Sequence, residues 1–190
     1  YDSRGAYFFC DPTIHVVRQA YVAYPDGKLM LRKAEPEGEE FFRSSDFNSR
    51  FINTAVGPDG CLYVTDMYRG IIQDAAWFNE GNREFARRTG VNKHIQMGRI
   101  WRIRHQDHQP YQEKPQMLSE STEELVRHLQ NPIGWWRDTA QKLILLRTDR
   151  EKAIPLLEGL FLFTQSPLPR MHALWTLDGM NALTPEIKRE

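Results

Sequence analysis

Apolar side chains in the first hundred residues come in short β-branched and aromatic runs, among them "AYFFC", "KLMLRKA", "FINTAV", "CLYVTD" and "GRIWRIR", separated by Gly, Pro, Asp and Ser. This pattern predicts antiparallel strands joined by tight connections. In "VGPDGCLYV" Pro58 sets φ for a turn and Gly60 supplies the permissive position, which reverses the chain between two strands. The runs also repeat. "RGAYFFCDP" at 4–12 lies over "DGCLYVTDM" at 59–67, with Gly5 over Gly60, Phe9 over Val64 and Asp11 over Asp66. The register carries Val16 and Val17 onto Ile71 and Ile72, and each copy closes on a further run, from Lys28 and from Gly98.

Repeated four-stranded meanders are the blades of a β-propeller, so residues 1–104 are expected to be its final blades. The second blade would run from Phe51 to Arg104, and the first, from Tyr1, would lack its innermost strand. An insertion, "DAAWFNEGNREFARRTGVNKHIQM", separates the last two strands of the second blade, with a short helix over "NEGNREFARRTG" that Gly90 stops. Fewer than two blades cannot close a ring of four to eight, which predicts that the chain is part of something longer.

A polar, proline-bearing linker over 105–118 marks a change of period from strand to helix. Four helices follow in 119–190: "STEELVRHLQN", "GWWRDTAQKLILLRT", "DREKAIPLLEGLFLFT" and "PLPRMHALWTLDGM". The second and fourth align, Arg137–Leu146 over Arg170–Gly179, a spacing of 33 residues that predicts a HEAT-like α-solenoid. Trp135, Trp136 and Trp175 are expected to fill the grooves between these helices. Arg137 with Asp138 and Arg170 with Asp178 are expected to pair between helices. The expected fold class is therefore β then α, a partial propeller followed by a solenoid.

Charge narrows the function classes. Lys and Arg number 25, as do Asp and Glu, so no electrostatic footprint for nucleic acid or an anionic membrane is present. The longest apolar candidate, "AIPLLEGLFLF", falls short of the roughly 20 residues that cross a bilayer and reads as a buried helix. Cys10 and Cys61 are too far apart for a C-x-x-C pair.

Taken together, "FINTAVGPDGCLYVTDMYRGIIQ", "WFNEGNREFARRTGVNKHI", "GRIWRIR", "NPIGWWRDTAQKLI" and "RMHALWTLDGM" resemble a family of large bacterial dehydrogenase-like proteins. These join a six-bladed propeller of the soluble quinoprotein glucose dehydrogenase type to HEAT repeats, often with a cytochrome c domain downstream. The resemblance implies a periplasmic or extracellular protein that oxidises a sugar or related alcohol, binding a sugar-like small molecule. It also implies a protein partner or electron acceptor at the helical repeats. The cofactor of such propellers is pyrroloquinoline quinone with calcium, and a histidine is the base. No cofactor is identifiable in this chain, because those ligand positions belong to blades upstream of Tyr1. "CDPTIHVV" departs from the family's pattern in having Ile14 and His15 where a small residue and an asparagine are usual. The alternative is a non-catalytic scaffold for protein–protein contacts.

Five residues are candidates for facing a ligand. Asp66, Tyr68 and Arg69 follow a strand, where an acid and a guanidinium could hold a sugar hydroxyl or a quinone carboxylate. The competing reading is a turn, with Asp66 capping backbone amides and Arg69 pairing with a neighbouring blade. The recurrence of Asp at position 11 without Tyr or Arg beside it favours that reading for Asp66. His15 is either a channel-facing base or a solvated loop residue. Trp77 either lines a cleft or pins the insertion.

Overall fold

The computed structural model describes residues 5–72, 75–112 and 114–189. Arg4, aligned with Asp59 in the repeat, and Asp74, placed at the start of the insertion, lie outside them. The chain divides into two compact units: Tyr1–Ala55 with Leu62–His108, and Val56–Cys61 with Gln109–Glu190.

The first unit contains two antiparallel sheets. In one, β1 (Ala6–Asp11) and β3 (Met30–Lys33) flank β2 (Val16–Ala23), and β4 (Phe42–Arg43) also pairs with β2. The register shows how four strands fit: β3 lies against residues 20–23 and β4 against residues 16–17, in tandem along one side of β2. The other sheet is a three-stranded meander of β5 (Phe51–Val56), β6 (Leu62–Asp66) and β7 (Arg99–Ile103). Their shared core is Val17, Phe51 and Val64, with Phe8, Cys10, Phe42, Leu62 and Ile103 packed around it. The Phe42 and Phe51 rings stand 4.8 Å apart, and Thr54 donates to the Phe8 carbonyl at 3.2 Å.

These sheets correct the expected fold. They are two small sheets, neither closed nor propeller-like, and neither is a four-stranded meander. The repeat sets "GRIWRIR" over "KLMLRKA" and Ile71–Ile72 over Val16–Val17. In the structure Ile71 and Ile72 form no strand, and β7 pairs directly with β6, Asp66 opposite Arg99, just as Asp11 stands opposite Val16. The counterpart of β2 is thus β7. The same Asp-ended hairpin is closed by four residues, 12–15, in one copy and by the long connection 67–98 in the other. Within that connection α1 (Glu80–Thr89) forms where expected: the Asn79 side chain accepts from the Asn82 amide, and Gly90, at φ +71, closes it with an N–H to the Ala86 carbonyl at 2.8 Å.

Helices do follow strands along the chain. α2 (Thr122–His128) opens on a capping box, Ser121 with Glu124, followed by α3 (Gly134–Leu146), α4 (Ile154–Phe163) and α5 (Pro167–Gly179). Buried residues recur every fourth position, Leu125 and Leu129, Trp136, Ala140 and Ile144, Leu157 and Phe161, Ala173 and Leu177. All of them join one core, each large side chain contributing about 1.5–3 kcal/mol. The four helices share one core, with α2 packed on α3 and α4 on α5. Trp136 is fully buried, stacked on His128 at 4.9 Å and donating to the Pro58 carbonyl at 2.8 Å. Trp175, expected in a groove, is 58% exposed. Arg137 binds the Asn131 and Pro132 carbonyls instead of Asp138, and Arg170 lies over the Phe161 ring. No helix among the described residues is long and apolar enough to cross a membrane.

Candidate functional site

The polar cluster of the sheet unit is built at the ends of strands. Alternation along β6 puts Leu62, Val64 and Asp66 on one face, the face turned to the core, so the strand ends on a buried carboxylate. Asp66 Oδ1 accepts from the Arg50 amide at 2.7 Å and the Tyr68 amide at 2.9 Å. Its Oδ2 accepts from Arg99 Nε at 3.0 Å and Trp101 Nε1 at 3.1 Å. Burial raises the carboxyl pKa, but the donors from Arg50, Trp101, Arg99 and Tyr68 outweigh it and hold the group below the usual aspartate value. Both residues from β7 come from the register: Arg99 is directly opposite Asp66, and Trp101 opposite Val64.

Arg99 lies over two rings, 4.1 Å from the Tyr68 centroid and 4.6 Å from that of Trp101, and its Nη2 donates to Ser49 Oγ at 3.1 Å. Asp46 stands 3.8 Å from Arg99. The Asn48 amide leads the interactions that hold the Asp46 carboxyl below its ordinary value. Asp46 in turn hydrogen-bonds Tyr68 and raises the phenol pKa.

Arg50 is the second centre. It is 3% exposed and reads both connections of the repeated hairpin. Nη1 donates to the Pro12 carbonyl at 3.1 Å and stands 2.9 and 3.0 Å from the two ring nitrogens of His15. Nε donates to the Arg69 carbonyl at 3.1 Å, and Nη2 to the Gly70 carbonyl at 2.7 Å. Burial lowers the guanidinium pKa and the Asp66 charge opposes that shift. His15, in the left-handed region at φ +63, has Nδ1 2.6 Å from the Ser49 carbonyl, so this nitrogen carries the hydrogen.

The five candidates therefore separate. Asp66 is a buried anchor for backbone amides and for β7. Tyr68, itself at φ +48, stacks on Arg99, while the Arg69 side chain is exposed and its carbonyl accepts from Arg50. His15 belongs to the Arg50 contact set. Trp77 is 79% exposed on a short turn of helix, Ala75–Trp77. The structure brings Asp66, Tyr68 and His15 into one network through Arg50 and Arg99, two residues that sequence reasoning missed. Their signal was positional: each opens a run, "RFINTAV" and "RIWRI", beside a strand that ends on Asp.

Beside this network lies a small groove of about 70 Å³, lined by Phe47, Gly70, Ile71, Phe78, Asn82 and Phe85. Its walls are largely apolar, and Phe47 packs edge-on against Phe85 at 5.0 Å. Among the described residues no three His, Cys, Asp or Glu side chains gather as a metal-ligand set, and the carboxylates of the cluster are bonded within the chain.

The family described as "Domain of unknown function (DUF7133)" matches residues 1–107, and the chain belongs to it. No curated protein and no solved structure matches the chain.

Proposed function

Starting from membership of that family, we propose that the chain is a non-catalytic scaffold for protein–protein contacts. The observation that carries this reading is where the polar chemistry goes. Asp66, Arg50 and Arg99, the residues best suited to hold a ligand, spend their hydrogen bonds on the chain's own backbone and side chains. The helical unit, by contrast, leaves apolar side chains outside. Leu168, Met171 and Trp175 recur along α5 at helical spacing and are all exposed, as contact surfaces often are. Sugar or alcohol oxidation rested on a propeller that the two sheets replace, and no observation here favours it.

Two measurements test the reading together. A photo-crosslinking residue at position 171 or 175 should give discrete adducts in the native host, and a Leu168→Ser background should weaken them; the same probe at exposed Glu84 should not give them. Sugar-dependent dye reduction by the purified chain supplied with pyrroloquinoline quinone and calcium should stay at background. Turnover above background overturns the proposal, as do adducts that are the same at all three positions.

A further inference from the structure

The two connections that close the repeated hairpins touch one buried side chain. We propose that Arg50 couples them, so that the turn 12–15 and the foot of the 67–98 connection open as one unit and not independently. This goes beyond the scaffold reading and does not depend on it.

A guanidinium only donates, and that of Arg50 divides its N–H groups between the two sides: Pro12 and His15 through Nη1, Arg69 and Gly70 through Nε and Nη2. At 3% exposure, water does not replace a lost partner without movement of the side chain. If the 12–15 turn lifts away, a buried charge loses half of its partners, and the way to regain them is for Arg50 to move toward solvent. That movement withdraws the donors from the Arg69 and Gly70 carbonyls. The far connection has no slack at this point. A Cβ on Gly70 would stand 2.8 Å from Val91 Cβ and 2.9 Å from Asn48 Oδ1, so the foot of the connection is wedged between its own later residues and the 44–49 loop. His15 is held against its backbone preference by the same contacts, which makes the short turn the readier side to release.

Amide hydrogen exchange in the intact chain reads the coupling. The Ser44 amide, bonded to the His15 carbonyl, reports the short turn; the Met67 and Tyr68 amides, bonded to the Arg50 carbonyl and Asp66 Oδ1, report the long one. His15→Asn keeps a residue that tolerates the left-handed backbone and removes the ring from Arg50. It should speed exchange at Ser44 by about tenfold, within the range usual for coupled sites, and at Met67 and Tyr68 by the same factor, while Ala140 in α3 stays unchanged. Gly70→Ala perturbs the opposite side, and reciprocity requires it to speed Ser44 exchange along with Met67 and Tyr68. If Gly70→Ala does not fold, His15→Asn alone decides. Acceleration confined to the substituted connection, or none at either, overturns the proposal.

Discussion

Asp11 and Asp66 are the same residue in two settings. Each ends the first strand of its hairpin and accepts the amide two residues on, from Thr13 at 3.1 Å and from Tyr68 at 2.9 Å. Yet among the described residues Asp11 has besides only a 3.7 Å contact to Arg18, with about a third of its side chain in solvent, while Asp66 is fully buried with four donors. The reason is the pleat. Tyr7, Phe9 and Asp11 share the outward face of β1, whose inward residues are Phe8 and Cys10, whereas Leu62, Val64 and Asp66 share the inward face of β6. Aligned residues of the two copies point to opposite sides relative to the common core. The lesson is that a motif read from sequence fixes a local bond, and the side of the sheet decides whether that bond becomes an anchor.

The largest effect expected from this contrast is on stability. Asp66→Ala takes the acceptor from two backbone amides, the Trp101 indole and the partly exposed Arg99 guanidinium, and should cost the sheet unit about 3 kcal/mol, the order expected when buried donors lose their partner. Asp11→Ala should cost about 1 kcal/mol or less, as for an exposed pair. Urea unfolding followed at the Trp101 indole resonance measures both, and equal losses would break the comparison.

A pH profile sharpens it. The folded state holds the Asp66 carboxyl below its ordinary value of 3.8, so the unfolded chain takes up the proton first as the solution is acidified. The stabilisation is therefore complete above that ordinary value and is lost as pH falls through the lower, folded pKa. Asp46, held low chiefly by the Asn48 amide, contributes with the same sign. Wild-type stability at Trp101 should fall on acidification below about pH 4. Asp66→Asn, already destabilised, should give a flatter profile over that interval. A slope unchanged in Asp66→Asn would assign the acid sensitivity elsewhere.

Much of the local structure was legible in the sequence because it depends on neighbours. Period and caps marked the helices: Asn79 and Gly90 bracket α1, and Ser121 with Glu124 opens α2. The strand runs were visible as well, and so was the turn character of Asp66, through its echo at Asp11. Pairing was not legible. Ile71 and Ile72 have the composition of a strand, but their place beside β6 is taken by Arg99–Ile103, and no local property of either segment says which will win. With Ile71–Ile72 taken as a strand, two unequal sheets look like copies of a blade. The anchoring partners were hidden for the same reason, since Arg50 and Arg99 reach Asp66 only through tertiary register. Trp175 shows the limit from the other side: on α5 helical spacing groups it with Leu168 and Met171, but whether that stripe faces the core or solvent depends on how the other helices pack.

The smallest effect tests the part of the repeat that should be equal. Gly5 and Gly60 precede the two equivalent strands with φ +78 and +77, a backbone that costs an L side chain about 1–2 kcal/mol. A Cβ on Gly5 meets nothing within 4 Å, so backbone conformation alone sets its penalty; Gly60 closes a turn with its N–H on the Gly57 carbonyl at 3.0 Å. Gly5→Ala and Gly60→Ala should each lower stability by that amount and agree within about 0.5 kcal/mol, as independent sites of one kind do. Side-by-side urea titrations decide it. A matched pair would place the divergence of the two hairpins after the strand begins, at the face each presents to the core. A neutral Gly5→Ala beside a costly Gly60→Ala would move it back into the turns, and the contrast between Asp11 and Asp66 would then owe something to how each strand is entered.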